Sequence, residues 1–191
     1  MIDNTINKLC IIPVTSDYPN TERLLDIRDE AFPPNERPDS RDVSRYNDAN
    51  GYAFLAFEDD HVPVGFALLR NCEDNMCFGI YFAIGKEFRN RHYGGRLLKL
   101  LLEGYLKRKI FFGCVEALLP EAENYQQRLD RVRFYQRNGM FVLDEVMDAG
   151  AMGKYQFVCT DPNITCDQLK VKMALALPSL INLEKPVKTN Y

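Results

Sequence analysis

One turn of this sequence has residue types and spacing suited to chemistry. It lies between an apolar run and a helical pattern, and its members are Arg89, Asn90, Arg91, His92, Tyr93, Gly94 and Gly95. The first amides of a helix lack intrahelical partners and carry the positive end of the helix dipole. Arginines at that place are unfavourable unless an anion binds there, so the turn predicts a phosphate site. A solvated basic turn is the alternative.

A single carboxylate in apolar surroundings is the second feature with chemical potential. Glu116 lies in a buried-strand pattern that we place at Cys114 to Pro120. Desolvation disfavours the charged form of a carboxylate, so we expect a raised pKa and a capacity to accept a proton. The alternative is a structural carboxylate paired with Arg131 or Arg133.

Composition limits the kind of protein that holds these residues. The chain has 191 residues, 46% of them hydrophobic, which suffices for one full core and indicates a single domain. Its net charge of −3 argues against a general nucleic-acid or membrane-surface binder, because those need an extended positive field. The absence of a signal-like or transmembrane-length run predicts a cytoplasmic protein. Six cysteines without a CxxC pair, and only two histidines, predict no metal site.

The periodicity of apolar residues predicts the elements that position the turn. Alternation over residues 52–58, 62–70 and 77–84 indicates an antiparallel meander of three strands, followed by the turn and a helix from Gly94. A strand and a helix precede the meander, at residues 8–14 and 21–32. After Cys114 we expect a strand, a helix ending at Asn138-Gly139, two further strands and a last helix near residues 165–177.

The sequence resembles the GCN5-related N-acetyltransferase (GNAT) superfamily over about residues 13–159. The resemblance rests on the order of four segments, which are YFAI, KEFRNRHYGGRLL, the strand with Glu116 and RVRFYQRNGM. The family signature is Arg/Gln-x-x-Gly-x-Gly/Ala, which wraps the pyrophosphate of acetyl-CoA. Arg89 fills its first position and Gly94 its last, but His92 replaces the middle glycine. Glycine there permits φ > 0 and a close approach of backbone to phosphate, which histidine tolerates less well.

The resemblance implies a fold. It is one α/β domain with a mixed, mostly antiparallel central sheet flanked by helices, spanning residues 1–160. Residues 161–191 would form a C-terminal helix and tail packed on that domain or extending from it.

The resemblance also implies roles for particular residues. The strand backbone would pair with the pantetheine arm of acetyl-CoA and polarise the acetyl carbonyl at Phe82, Ala83 and Ile84. The turn from Arg89 to Gly95 would hold the phosphates. Tyr135 matches a tyrosine that protonates the departing thiolate, and core packing is its alternative. Asn124 matches an asparagine that contacts the cofactor, and a helix N-cap explains it equally well.

The activity implied is transfer of acetyl from acetyl-CoA to a primary amine, on a small molecule or a peptide, by direct attack in a ternary complex. No cysteine lies in a nucleophile motif. Glu116 is the candidate base for the amine, and Glu30 and Glu36 are weaker alternatives. The competing hypotheses are a non-catalytic CoA-binding sensor or interaction module, suggested by His92, and a structural protein that docks through residues 165–183. We expect no nucleic-acid or membrane partner, and a homodimer is left open.

Overall fold

Seven strands and four α-helices lie in the part of the chain that a computed structural model describes, residues 9–37, 41–150 and 153–176. In these ranges the elements are β1 (Leu9–Pro13), α1 (Thr21–Ala31), β2 (Tyr52–Asp59), β3 (Val62–Cys72), β4 (Met76–Ile84), α2 (Tyr93–Leu100), β5 (Ile110–Glu116), α3 (Tyr125–Arg137), β6 (Phe141–Asp148), β7 (Lys154–Cys159) and α4 (Cys166–Ala176). None of the helices in the described ranges is both long and apolar enough to cross a membrane. The boundary predicted at residue 160 stays a prediction, and the predicted tail beyond residue 176 lies outside the described residues.

The seven strands form one sheet in the order β1-β2-β3-β4-β5-β7-β6. Only the β4–β5 pair is parallel, and every other neighbouring pair is antiparallel. The predicted mixed, mostly antiparallel sheet flanked by helices is therefore confirmed, and so is the meander of β2, β3 and β4.

The start of β5 differs from the prediction. The strand begins at Ile110, and Gly113 lies inside it, opposite Gly79 of β4. The preceding helix already ends in a π-helical turn at Leu101–Tyr105, so Gly113 is not needed to stop it. Aromatic and β-branched residues favour extended backbone, and the run Ile110-Phe111-Phe112 continues the strand upstream of the glycine.

Helices cover both faces of the sheet. Leu97 of α2 and Val132 of α3 belong to a buried cluster on one face, with Phe57 and Val115 from the strands. On the opposite face, α1 packs beside Phe66 and Tyr81, and α4 packs beside Phe78 and Phe112. Successive strand residues point to opposite faces, which explains how two cores form on one sheet.

β4 and β5 separate halfway along their length. They pair from Met76 to Gly79 of β4 against Ile110 to Gly113 of β5, and the remainder of β4 has no β5 partner. A bulge marks the separation, because Leu68 of β3 lies opposite Tyr81 whereas Leu69 lies opposite Gly79, leaving Ile80 unpaired. A bulge bends its strand and increases the local twist. We call the resulting gap between residues 80–84 of β4 and residues 114–116 of β5 the wedge.

Candidate functional site

The open side of β4 presents backbone groups to the wedge. Gly85 N–H donates to Val64 O at 2.9 Å, so the backbone of Gly85 is directed to β3. Backbone groups of successive strand residues alternate in direction, and Ala83 is therefore also directed to β3. Phe82 and Ile84 point their backbone groups into the wedge instead. An extended chain that carries amides can pair with such groups as an added strand does.

The basic turn connects the end of β4 to the start of α2. Arg89, Asn90, Arg91 and His92 are exposed. The first intrahelical hydrogen bond of α2 is donated by Arg96 N–H to His92 O at 3.3 Å, so the amides of residues 93–95 precede it. These amides, the helix dipole and the exposed guanidinium groups together favour an anion at this end of the wedge.

His92 adopts the backbone conformation that the replaced glycine would supply. Its φ is 61° and its ψ is 9°, in the left-handed region, and Asn90 has the same φ of 61°. Asparagine and histidine enter this region more readily than most non-glycine residues. The replacement therefore preserves the path of the turn and adds an imidazole at its surface.

The first turn of α2 packs closely on α3. A Cβ added to Gly94 would lie 3.2 Å from Cε2 of Phe134, and one added to Gly95 would lie 3.2 Å from Oδ1 of Asn138. Tyr93 is directed elsewhere, because its hydroxyl donates to Oδ2 of Asp59 at 2.6 Å. Tyr93 thus fixes α2 to the end of β2, while the glycines bring the basic turn next to the helix that carries the predicted tyrosine.

Tyr135 lies on α3 and packs between the helix and the sheet. Its ring is 5.1 Å from that of Phe134, and it contacts the buried cluster on the α2–α3 face. Burial raises the pKa of Tyr135 to about 12, the charge of Arg131 opposes this rise, and Cys114 adds to it. Val115, in the part of β5 beyond its last pair with β4, belongs to the cluster that Tyr135 contacts, so Tyr135 packs on the α2–α3 face of this part of β5. Within the described residues its hydroxyl has no protein acceptor, and it stays protonated at neutral pH.

Glu116 is bound by α3. Its carboxylate forms an ion pair with Arg131, lies 3.4 Å from Arg128 and accepts a hydrogen bond from Asn124 at 3.1 Å. Burial would raise its pKa, but the hydrogen bonds from Arg131 and Asn124 and the two guanidinium charges outweigh burial and hold the pKa below its usual value. The expected raised pKa is therefore wrong. The alternative, a structural carboxylate paired with Arg131, describes the residue, whereas Arg133 is not its partner.

Asn124 belongs to the same network. Its side-chain oxygen accepts a hydrogen bond from Nε of Arg128 at 2.6 Å while its amide donates to Glu116. It occupies the N-cap position of α3, but its side chain caps no backbone amide. Asn124 is therefore the N-cap residue by position but without a capping side chain, and its side-chain contacts orient Arg128 towards Glu116.

Replacing Glu116 with glutamine is expected to lower the free energy of unfolding by about 1–2 kcal/mol at pH 7, because two guanidinium groups lose their counter-charge. The Glu116 side chain is 24% exposed, so solvent screening keeps the loss at that level. Its folded pKa lies below the unfolded value. The contribution is therefore present above the unfolded pKa, about 4.3, and is lost as pH falls through the folded pKa.

Urea unfolding at several pH values measures this difference. The difference in free energy of unfolding between the wild type and Glu116→Gln is expected to vanish in acid. Glu121 is exposed, so Glu121→Gln serves as the matched control, for which no difference is expected at any pH. A gap of constant size from pH 7 to pH 3 would contradict the assignment of Glu116 to this charged network.

A second carboxylate, that of Glu36, comes from the loop that follows α1. The hydroxyl of Tyr155 on β7 donates to Oε1 of Glu36 at 2.8 Å, and the hydroxyl of Tyr81 on β4 donates to Glu36 O at 2.8 Å. In the sheet, β4 and β7 flank β5, so these two contacts place Glu36 over β5. Glu30 remains on α1 beside Arg23, at 3.8 Å. Tyr155 had no functional signal in the sequence, where it is an aromatic residue in a strand pattern.

The wedge beside a helix start that favours anions defines the class of protein. It suits an extended, amide-bearing arm that ends in a pyrophosphate, as in acyltransferases that use CoA thioesters. The model of the acetyltransferase (GNAT) family matches residues 21–140, and the chain belongs to this family. The resemblance noted in the sequence is thereby confirmed. The protein is an N-acetyltransferase of the kind that uses acetyl-CoA.

Solved structures have the same fold. A protein from Bacteroides thetaiotaomicron described as a GNAT-family acetyltransferase aligns with a TM-score of 0.73 and 22% identity over 92% of this chain and 99% of its own. An aminoglycoside 6′-N-acetyltransferase complexed with coenzyme A aligns with a TM-score of 0.61 and 16% identity, over 82% of this chain and 99% of its own. The ribosomal-protein-S18-alanine N-acetyltransferase of Escherichia coli aligns with a TM-score of 0.59 and 13% identity, over 82% of this chain and 99% of its own. A search of curated proteins found no match.

Proposed function

We propose that this protein transfers acetyl from acetyl-CoA to a primary amine, which attacks the thioester directly in a ternary complex. The observation that carries the proposal is the wedge between β4 and β5, with the start of α2 at the end of β4 and Tyr135 packed on the cluster that includes Val115 of β5. This arrangement supports a phosphate site and a proton donor along one path.

The residues along the wedge fit the cofactor. Acetyl-CoA supplies an activated acetyl thioester. The backbone groups of Phe82 and the N–H of Ile84, which face the wedge, pair with the pantetheine arm, and one N–H stabilises the charge that develops on the thioester oxygen. The carbonyl of Ile84 already accepts from Nε of Arg89 at 3.1 Å. The amides and guanidinium groups of residues 89–95 bind the pyrophosphate. The backbone of Ala83 pairs with β3, so Ala83 supports the strand and makes no backbone contact with the cofactor.

The proton transfers of the reaction give Tyr135 the role of a general acid. The amine nitrogen forms the new C–N bond as the C–S bond breaks, and the sulfur takes the proton of the Tyr135 hydroxyl. The amine loses one proton to a base, and a proton returned through solvent restores the Tyr135 hydroxyl, so that an amide and a free thiol leave. An acetyl-cysteine intermediate is disfavoured because burial raises the pKa of Cys114, the cysteine nearest to the wedge, to about 12, and a neutral thiol is a poor nucleophile.

The alternative is a CoA-binding module without catalysis. One observation favours it: Glu116, the expected base, is bound by Arg128 and Arg131 and has a lowered pKa. His92 supports it less than the sequence suggested, because its left-handed backbone keeps the path of the turn.

Two measurements test the proposal against this alternative. Calorimetry with acetyl-CoA is expected to show saturable binding, and a panel of amines is expected to release free thiol in an amine-dependent manner. Initial rates at varied concentrations of both substrates are expected to give intersecting double-reciprocal lines, as a ternary complex requires, and parallel lines would refute direct attack. Binding without thiol release from any amine would favour the non-catalytic module.

A further inference from the structure

The structure assigns a second proton-transfer residue to the acetylation reaction. We infer that Glu36, oriented by the hydroxyl of Tyr155, binds the ammonium group of the acceptor and removes its proton before attack. This inference rests on the proposed function and adds to it the group that receives the acceptor.

Glu36 is held firmly by its loop. Residues Pro34–Glu36 form a 3₁₀ turn after Pro33, and Glu36 N–H donates to Pro33 O at 3.0 Å. The next residue, Arg37, lies 3.3 Å from Asp29 and donates through Nε to Phe32 O at 3.2 Å. With the hydroxyl of Tyr81 on its carbonyl, Glu36 is fixed before any substrate arrives, which lowers the cost of positioning it for reaction.

The carboxylate lies on the face of the sheet opposite to Tyr135. Tyr81 clusters with residues of α1, and Tyr155 lies two positions before Phe157, which clusters with residues of α4. Tyr135 belongs to the cluster of α2 and α3 on the other face. An acetyl group held in the wedge would therefore have Tyr135 on one face and Glu36 on the other. Such a placement lets the amine approach from one face while the sulfur leaves on the other.

Glu36 differs from nearby carboxylates in its partners. Glu116 has two arginines and Glu30 has Arg23, whereas no lysine or arginine of the described ranges forms an ion pair with Glu36. The hydroxyl of Tyr155 satisfies one lone pair and leaves acceptor capacity on a half-buried carboxylate. A carboxylate without a cationic partner favours a cation, and the ammonium of an amine supplies both a charge and N–H donors.

The reaction balances with these two residues. The bound ammonium gives one proton to Glu36, and the neutral amine then forms the C–N bond as the C–S bond breaks. The sulfur takes the proton of Tyr135, the nitrogen gives up its second proton as the amide forms, and that proton restores the Tyr135 hydroxyl through solvent. Glu36 later returns its own proton to water. Such a site selects aliphatic amines, which are protonated at neutral pH, over arylamines, which are neutral and need no ammonium site.

Cyclohexylamine and aniline test the inference, since they share a six-membered ring and differ in charge. In the wild type, kcat/KM is expected to be at least about tenfold higher for cyclohexylamine than for aniline. Glu36→Gln is expected to lower the value for cyclohexylamine by about 10²-fold, which is at the low end of general-base effects. The value for aniline is expected to change less than about threefold, because aniline gives no proton to Glu36. An equal fall for both amines, or no fall for either, would overturn the inference.

Controls separate this inference from the proposed function. Glu73 is an exposed carboxylate on the β3–β4 turn, and Glu73→Gln is expected to behave as the wild type. Tyr155→Phe is expected to lower cyclohexylamine turnover, but by less than Glu36→Gln does. The affinity for acetyl-CoA is expected to be unchanged in Glu36→Gln. Wild-type protein that binds no acetyl-CoA would instead refute the proposed function.

Binding to the enzyme–CoA complex gives an answer that needs no turnover. Calorimetry is expected to show that cyclohexylamine binds the wild-type complex about tenfold more tightly than the Glu36→Gln complex, in line with the loss of one charged contact. Equal affinity in the two complexes, or none in the wild type, would overturn the inference.

Discussion

Replacing Tyr135 with phenylalanine is expected to lower kcat for amine acetylation by about 10²–10³-fold and to leave acetyl-CoA binding almost unchanged. The hydroxyl has no protein acceptor among the described residues, and its pKa near 12 keeps it protonated, as the proposed donor to the thiolate must be. Phenylalanine preserves the ring that packs beside Phe134. An effect confined to kcat therefore reports a proton used only in the transition state.

Thiol release at saturating acetyl-CoA, with calorimetry for the affinity, measures this difference. Tyr125, at the start of the same helix and 37% exposed, provides the matched variant Tyr125→Phe, for which no change is expected. A small and equal loss in kcat and in acetyl-CoA affinity for Tyr135→Phe would mean that this tyrosine only packs against the core.

Replacing Gly65 with alanine is expected to destabilise the fold by about 2–3 kcal/mol and to weaken acetyl-CoA binding by about tenfold, as overpacking at a backbone contact does. Gly65 lies on β3 opposite Ile84. An added Cβ would overlap the carbonyl oxygen of Ala83 and lie 2.9 Å from Cδ1 of Ile84. Because the obstacle is backbone, β4 has to move away from β3, and such a movement narrows the wedge.

Urea unfolding and calorimetry separate the two consequences. Gly104→Ala is the matched control, since a Cβ there would meet no atom within 4 Å, and we expect no loss of stability or of affinity. If Gly65→Ala proved as stable as the wild type, the close approach of the two strands would be wrong. If it were destabilised but bound acetyl-CoA normally, the wedge would not be the binding path.

Much of the fold was predictable because its signals are local. The alternation of apolar residues in β2, β3 and β4 reports which side chains face a core, and it does so without knowledge of the partner strands. The turn into α2 was equally readable, since glycines, arginines and the following helical period lie within one short segment. The same local signals misplaced the start of β5, because Gly113 was interpreted as a helix stop although it lies inside the strand, opposite Gly79.

The electrostatics of the site was not predictable in this way. The apolar neighbours of Glu116 in sequence indicated a raised pKa, but its pKa depends on Arg128 and Arg131, which α3 brings back over the end of β5. The conformation of His92 likewise depends on how the turn joins β4 to α2, and residue type alone indicated only that the left-handed region is disfavoured.

The sequence by itself determined the family, the order of the strands and helices and the position of the basic turn, because hydrophobic period and turn chemistry act between near neighbours. Only the tertiary structure decided which partner each carboxylate meets. Glu36 and Tyr155 are 119 positions apart in the chain, and the loop after α1 brings them to a hydrogen bond of 2.8 Å. Proton affinity and charge pairing depend on distances across the fold, and those distances are set by the packing of remote segments.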